Sequence, residues 1–394
     1  MNIARRNVLW LGIVSFFTDV SSEMIFPIIP LFLTRVLGAP LGAVGLIEGI
    51  AQATANLLKG PSGWLTDRLA KQKALIITGY GLSTLAKPLF ALTASWPQAL
   101  LVRFADRAGK GIRDAPRDAL IALSVGRAAR GIWFGLHRAL DSTGAIVGSA
   151  LAALLLSAAL NYRTIFWLSA IPALIALALL WLVVRERRPR AHAHPHLPGI
   201  RFGRPYWRFI SAAAALNLAS FSYALYLLRA SELGLALISI PLVYLLYNIF
   251  YTVFSGPAGR LSDVVGRRPV LAAGYFVLIG INSGFGLAQS AALAWLLMAA
   301  YGLHMAIVDG TSRAYVSDIV PERRRATALG LYHTTVSISA FAASTAGGLI
   351  WQLAGAGLAF SAAAVLALVG FILLVLPFGR RAGHTVSPRA LARG

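Results

Sequence analysis

Cysteine is missing from all 394 residues, so disulfides, thiolate metal sites and thiol redox chemistry are excluded. Acidic side chains are scarce: 14 Asp and Glu stand against 36 Lys and Arg. Charge of either sign makes up only 13% of the chain, a balance few soluble folds tolerate. No Walker loop and no G-x-S-x-G pattern occurs, which leaves ATP hydrolysis and serine hydrolysis without support. The short alternating segments of a membrane barrel are missing too. No cleavable signal peptide is read at the start, because the first apolar run is too long and lacks a small-residue cleavage site.

What the chain does have is apolar length. Hydrophobic residues are 58% of the total and the mean hydropathy is +0.71. Apolar runs of about 20 residues recur from end to end, each long enough to cross a bilayer as a helix. They predict an all-α polytopic membrane protein with twelve spans: 8–34, 41–65, 73–94, 98–123, 131–158, 163–184, 206–229, 236–261, 269–288, 292–318, 325–353 and 358–378. An Arg-, His- and Pro-rich stretch divides them. The expected units are an N-terminal bundle at 1–185, a linker at 186–205, and a C-terminal bundle at 206–394 with a short basic tail. His192, His194 and His196 fall in that linker and read as disordered polar chain rather than a metal site.

The net charge of +22 and pI near 11.3 would suggest nucleic acid for a soluble protein. In a membrane protein the same excess marks cytoplasmic loops. Arg5, Arg6, Lys71, Lys73, Arg127, Arg130, the linker, Arg267, Arg268, Arg323, Arg324, Arg325, Arg380 and Arg381 fall on one side. The other side carries little besides Arg35, Arg163 and Arg229. Both termini are therefore expected in the cytoplasm, and the protein in the plasma (inner) membrane.

The chain also repeats itself. Gly63-Trp64-Leu65-Thr66-Asp67-Arg68 ends the second span, and Gly259-Arg260-Leu261-Ser262-Asp263 followed by Arg267 and Arg268 ends the eighth. Asp67 and Asp263 lie 196 residues apart (263 − 67). Gly135 and Gly330, each just past a basic loop, lie 195 apart (330 − 135). Two landmarks with one period point to a duplicated six-span unit.

This duplicated Gly-x-Leu-x-Asp-basic loop, with the 6+6 layout and the basic linker, resembles the major facilitator superfamily over nearly the whole chain. The resemblance implies two pseudo-symmetric six-helix bundles that rock about a central cavity, and a monomer. It assigns gating contacts that lock the cytoplasmic side to Gly63, Asp67, Arg68, Gly259, Asp263 and Arg267. It also matches Arg107 to Gly111 with the family's R-x-x-x-G element, whose Arg is linked to proton transfer; here Lys110 stands where Gln is usual. Gly144 and Gly148 partly match an element of drug/proton antiporters, with Ser149 in place of its Pro. Close helix packing explains the two glycines equally well.

Charged residues inside the spans are the candidates for function. Asp19 and Glu23 share one face of the first helix. Asp19 lies roughly 16 Å into the span at ~1.5 Å per residue, close to the bilayer middle. An ionised carboxylate there costs on the order of 3 kcal/mol, so it must be neutralised, paired or wet. A reversible proton carrier and a static salt bridge to the fourth span are both open. Pro27 and Pro30 are expected to kink the helix beyond. The fourth span carries Arg103, Asp106, Arg107, Lys110, Arg113, Asp114 and Arg117; Asp106, Lys110, Arg113 and Arg117 form one stripe by spacing. Offset by 196, Arg113 corresponds to Asp309 and Arg117 to Arg313 in the tenth span. Candidate cavity groups are Glu48, Lys110, Arg113, Asn217, Tyr223, His304, Asp309 and Arg313, with Glu48, Lys59 and Lys87 as candidate buried partners.

The expected function is proton-coupled secondary transport, as an exporter or antiporter, of a small polar solute. Asp19, Glu23 and Arg107 are the coupling candidates, and the cations of the fourth span favour an anionic or zwitterionic solute. A multidrug, metal or metal-chelate exporter is the alternative, and a non-transporting receptor on the same scaffold a third reading. No catalytic constellation suggests an enzyme, and no cofactor is implied.

Overall fold

The structure, a computed structural model, describes residues 3–69, 72–125, 130–186, 202–321 and 324–376. Most of the linker lies outside the described residues. The helices are α1 (Ile3–Ile25), α2 (Ile29–Arg35), α3 (Leu41–Leu57), α4 (Lys59–Leu69), α5 (Gln72–Leu89), α6 (Trp96–Ser124), α7 (Arg130–Ser157), α8 (Tyr162–Leu168), α9 (Ala170–Val183), α10 (Arg204–Leu218), α11 (Tyr223–Glu232), α12 (Ser239–Val265), α13 (Arg267–Leu287), α14 (Ala291–Asp318) and α15 (Arg325–Val375). A backbone inside hydrocarbon must satisfy its own polar groups, and helices do so.

Ten stretches among the described residues are long and apolar enough to cross a membrane. The two differences from twelve have physical causes. The fourth span, α6, is helical throughout, but its charges disqualify it on hydropathy. The eleventh and twelfth spans are two helices that meet end to end at Gly355 and so count as one stretch; its φ of 86° and ψ of 162° are non-helical and suit only glycine. The first span is α1 and α2, broken at 26–28 where Pro27 cannot continue the helix. The seventh is α10 and α11, broken at 219–222. Phe26 and Phe221 sit in these two breaks, 195 residues apart (221 − 26), a third landmark of the repeat.

Three apolar cores hold the bundles. At the end opposite the termini, a single core joins both halves: Phe26, Phe32, Ile47 and Phe166 from one, Phe221, Tyr226, Tyr244 and Phe360 from the other. At the basic end each half has its own core, around Tyr80 and Leu120 in the N-terminal bundle and around Phe209, Tyr275 and Leu278 in the C-terminal one. The halves are thus sealed together at one end and separate at the other.

The seal is made by close backbone approach between the second and eleventh spans. A Cβ at Gly45 would collide with the Ser344 carbonyl, and one at Gly348 with the Leu41 carbonyl. Gly63 and Gly259 behave differently from expectation: the nearest atom to a Cβ at Gly63 is 3.7 Å away on Ala115, and nothing lies within 4 Å at Gly259. Their end of the molecule is the open one, so nothing from the other bundle is pressed against either glycine.

Candidate functional site

The fourth span is drawn tightly into the N-terminal bundle by two glycines. Gly109 packs on the Gly79 carbonyl and Ser83, and Gly111 on Leu58 and the Ala55 carbonyl. Charges carried above them are buried as a network. Arg103 makes a bidentate pair with Glu48, Nε to Oε1 at 3.0 Å and a terminal nitrogen to Oε2 at 2.9 Å. Asp106 lies 3.2 Å from Arg107 and accepts from Ser83 at 2.5 Å. Lys87 donates to the Thr18 carbonyl at 3.3 Å and to Ser21 at 3.1 Å. The Phe26 ring underlies both guanidinium groups, at 4.6 Å from Arg103 and 4.2 Å from Arg107. Arg103 also donates to Tyr223 of the other bundle at 2.9 Å, so this network forms the roof where the halves meet.

Beneath the roof lies a cavity of about 310 Å³ shared by both bundles. Its N-terminal wall carries Asp19, Glu23, Gln52, Lys110, Arg138 and Asp141; its C-terminal wall carries Tyr244, Tyr247, Asn248, Tyr251, Met305 and Asp309. Asp19 and Asp141 line the same wall, with their carboxyls close enough to interact electrostatically. Asp141 accepts from Ser15 at 2.6 Å and pairs with Arg138 at 3.3 Å. Arg138 donates across to the Tyr251 hydroxyl at 2.5 Å, Tyr251 donates to Asp309 at 3.0 Å, and Arg313 holds Asp309 at 2.7 Å. A polar chain therefore crosses from one half to the other on the basic side of the cavity. Arg138 and Arg313 are 58% and 47% exposed, so this side is wet.

The structure brings Asp19, Glu23, Lys110 and Asp309 together on the cavity wall, with Arg313 behind Asp309. Glu48, Arg107 and Tyr223 belong to the roof network. Of the expected cavity groups, then, only Lys110 and Asp309 line the cavity, and Arg113, Asn217 and His304 are neither on its wall nor in its roof. Arg113 is buried with its guanidinium 4.2 Å over the Tyr80 ring, Asn217 donates to Ala213 of its own helix at 2.8 Å, and His304 bonds the Gly274 carbonyl at 2.8 Å. The stripe expected on α6 is split: only Lys110 reaches the cavity, because Asp106 is drawn to Ser83 and Arg113 to Tyr80. Lys59 pairs with Asp114 at 3.2 Å, and Arg117 with Asp118 at 3.2 Å.

Of the expected gating groups, Asp263 pairs with Arg267 of its own motif at 2.5 Å, and Arg267 also reaches Asp318 at 3.1 Å. These contacts tie three spans of one bundle, not the two bundles. Arg68 lies over Trp64 at 5.3 Å, and the Asp67 side chain falls outside the described residues. Asp141, Arg138 and the tyrosines of the eighth span are site residues that the sequence reading misses. The signals that could have found them are a lone acid in an apolar span for Asp141, and the 3, 4 spacing that puts Tyr244, Tyr247 and Tyr251 on one helix face.

Residues 11–228 and 208–393 match the family model of the Major Facilitator Superfamily. An uncharacterised MFS-type transporter of Methanocaldococcus jannaschii is 38% identical over 378 residues, which cover 94% of each chain. An uncharacterised protein of Mycobacterium tuberculosis is 29% identical, over 88% of this chain and 85% of that one. Among solved structures, a POT family transporter in complex with 5-aminolevulinic acid superposes with a TM-score of 0.80 at 12% identity, over 94% of this chain and 95% of that one. The nucleoside transporter NupG gives 0.75 at 12%, over 97% and 100%. At these identities the two structures speak for the fold.

Proposed function

The chain belongs to the major facilitator superfamily, and from that premise we propose that it is a proton-coupled secondary transporter which exchanges a small polar solute for protons by alternating access. It sits as a monomer in the inner membrane with both termini in the cytoplasm, and the cavity opens to that side. One observation carries the coupling: two carboxyls, Asp19 and Asp141, stand together on the wall of a cavity shared by the bundles, an arrangement that favours one proton between them. The pair is faced by Glu23 on the first span, Lys87 on the third, Lys110 and Arg117 on the fourth, and Arg138 and His137 on the fifth. A solute that takes the place of that proton releases it, which couples the two movements. Arg138, Tyr251 and Asp309 join the halves on the basic side and are the contacts that rearrange as the bundles rock.

Export is the favoured direction, since the solute enters from the open basic side and the proton from the other. Among the described residues no group of three or more His, Asp or Glu is placed to hold a metal ion, so an organic solute fits better than a bare metal. The test is purified protein in liposomes with an internal pH dye and a solute panel. Solute exchange should move protons in the native protein. In Asp19→Asn, exchange of solute for solute should persist while proton movement disappears. Proton-linked transport that survives intact in Asp19→Asn, Asp141→Asn and Glu23→Gln alike would sink the coupling site.

A further inference from the structure

We propose that the solute is an organic cation: a quaternary or protonated amine on a flat or apolar body, held between the cavity carboxyls and a tyrosine ladder on the eighth span. This rests on the transporter reading above and narrows its cargo.

Two sets of groups point the same way. Four cavity residues are acids, Asp19, Glu23, Asp141 and Asp309, against two bases, Lys110 and Arg138. Arg138 is already engaged with Asp141, and Asp309 is held by Arg313. Glu23 is different. Its Oε2 is buried and has no hydrogen-bond partner, although the residue lines the cavity. A buried carboxylate oxygen without a partner is costly, and a cationic ligand beside it removes the cost.

The wall across from Asp19, Glu23 and Asp141 is aromatic, with Asp309 at its edge. Tyr244, Tyr247 and Tyr251 lie on one helix face, with ring centroids 5.5 and 6.4 Å apart and planes within 19° and 9° of parallel. Tyr301 backs Tyr247 at 5.2 Å. Ring faces carry negative potential and attract ammonium groups, and do so more strongly when water is excluded. An anion would meet Asp19, Glu23 and Asp141 on one side, with Lys110 among them, and a row of tyrosines on the other. The cations of the fourth span that suggest an anionic solute in the sequence do not, apart from Lys110, line the cavity: Arg103 and Arg107 are in the roof, Arg113 lies over Tyr80 and Arg117 pairs with Asp118. About 310 Å³ is at the small end of what organic ligands occupy.

The experiment is calorimetric binding to the full purified chain with three probes of similar size: benzyltrimethylammonium, benzenesulfonate and tert-butylbenzene. The cation should bind at least about tenfold tighter than the other two. Tyr247→Leu should weaken it by roughly tenfold, whereas Tyr247→Phe, which keeps the ring face, should stay within about twofold. Glu23→Gln should weaken it as well, with the protein still folded by its melting profile. Equal or tighter binding of the sulfonate, an unchanged affinity in Tyr247→Leu, or no binding of the cation overturns the proposal. The transport reading fails separately: it falls if the cation binds with this dependence but undergoes no counterflow in liposomes, and it survives if benzenesulfonate drives proton-linked flux while the cation does not.

Discussion

In the N-terminal bundle, Glu48, Lys87, Arg103, Asp106, Arg107, Arg113 and Asp114 are all buried. The buried polar residues of the C-terminal bundle, among those described, are uncharged or histidine: Asn248, Asn282, His304, Ser312 and Ser344 are examples. Its ion pair at the cavity, Asp309–Arg313, is 33% and 47% exposed. Both bundles descend from one repeat, and Arg113 and Asp309 occupy equivalent positions, yet one lies buried over a tyrosine ring and the other on the cavity wall. Duplication kept the backbone and let the chemistry diverge. One half holds charge in a fixed frame, and the other presents tyrosines and a solvent-exposed ion pair.

The sharpest way to break this contrast is Arg103→Ala. It strips Glu48 of its bidentate partner and removes Tyr223's contact, and it should cost about 3–5 kcal/mol in stability. Melting of the purified protein would show it; a loss no larger than that of a C-terminal hydroxyl would erase the distinction. The double change Glu48→Leu with Arg103→Met should recover much of the loss, because a well-packed apolar pair replaces a buried ionic one at little net cost.

Next in size is the seal between the halves. Gly45→Val overpacks the contact with the eleventh span and should cost about 1–3 kcal/mol. Because the chain has no cysteine, Ser231→Cys gives a clean reporter at the sealed end, where Ser231 accepts a hydrogen bond from Arg35 across the bundles. Labelling at that site should rise with Gly45→Val; unchanged labelling would mean the seal lies elsewhere. Tyr226→Phe removes a hydrogen bond to Asn282 of 2.9 Å within the C-terminal bundle and should cost about 1 kcal/mol. Smallest is Gly259→Ala. With open space around it, the change should leave melting within about 0.5 kcal/mol of native, while slowing transport if the basic ends must close on this glycine. Native transport rates would remove Gly259 from the gate.

Much of the architecture could be read from local chemistry. Apolar length gives the spans, the period gives the two halves, and Pro27 gives the break in the first helix. Side-chain direction is another matter. The 196-residue offset says which positions correspond but not which way each faces, so the sequence points Arg113, Asn217 and His304 at a cavity they do not line. Asp141 is overshadowed in the sequence by the glycine pair that follows it, whose packing on the Phe16 and Val20 carbonyls is what brings the fifth span, and this acid, against Asp19. The sparse arginines on the far side also have an explanation only in three dimensions. Arg163 caps the carbonyls of Ala91 and Thr93 after the third span, and Arg229 those of Phe285 and Ala288 at the end of the ninth.

The corner at Gly355 has a practical side. The last two spans meet there with a single non-helical residue between them, so an epitope or protease site spliced in at that point would have to open the adjoining helix ends to be displayed. Mapping which compartment that face sees is better done from the turn at 36–40, where the chain is free of helix and an insertion disturbs neither the cavity nor its roof.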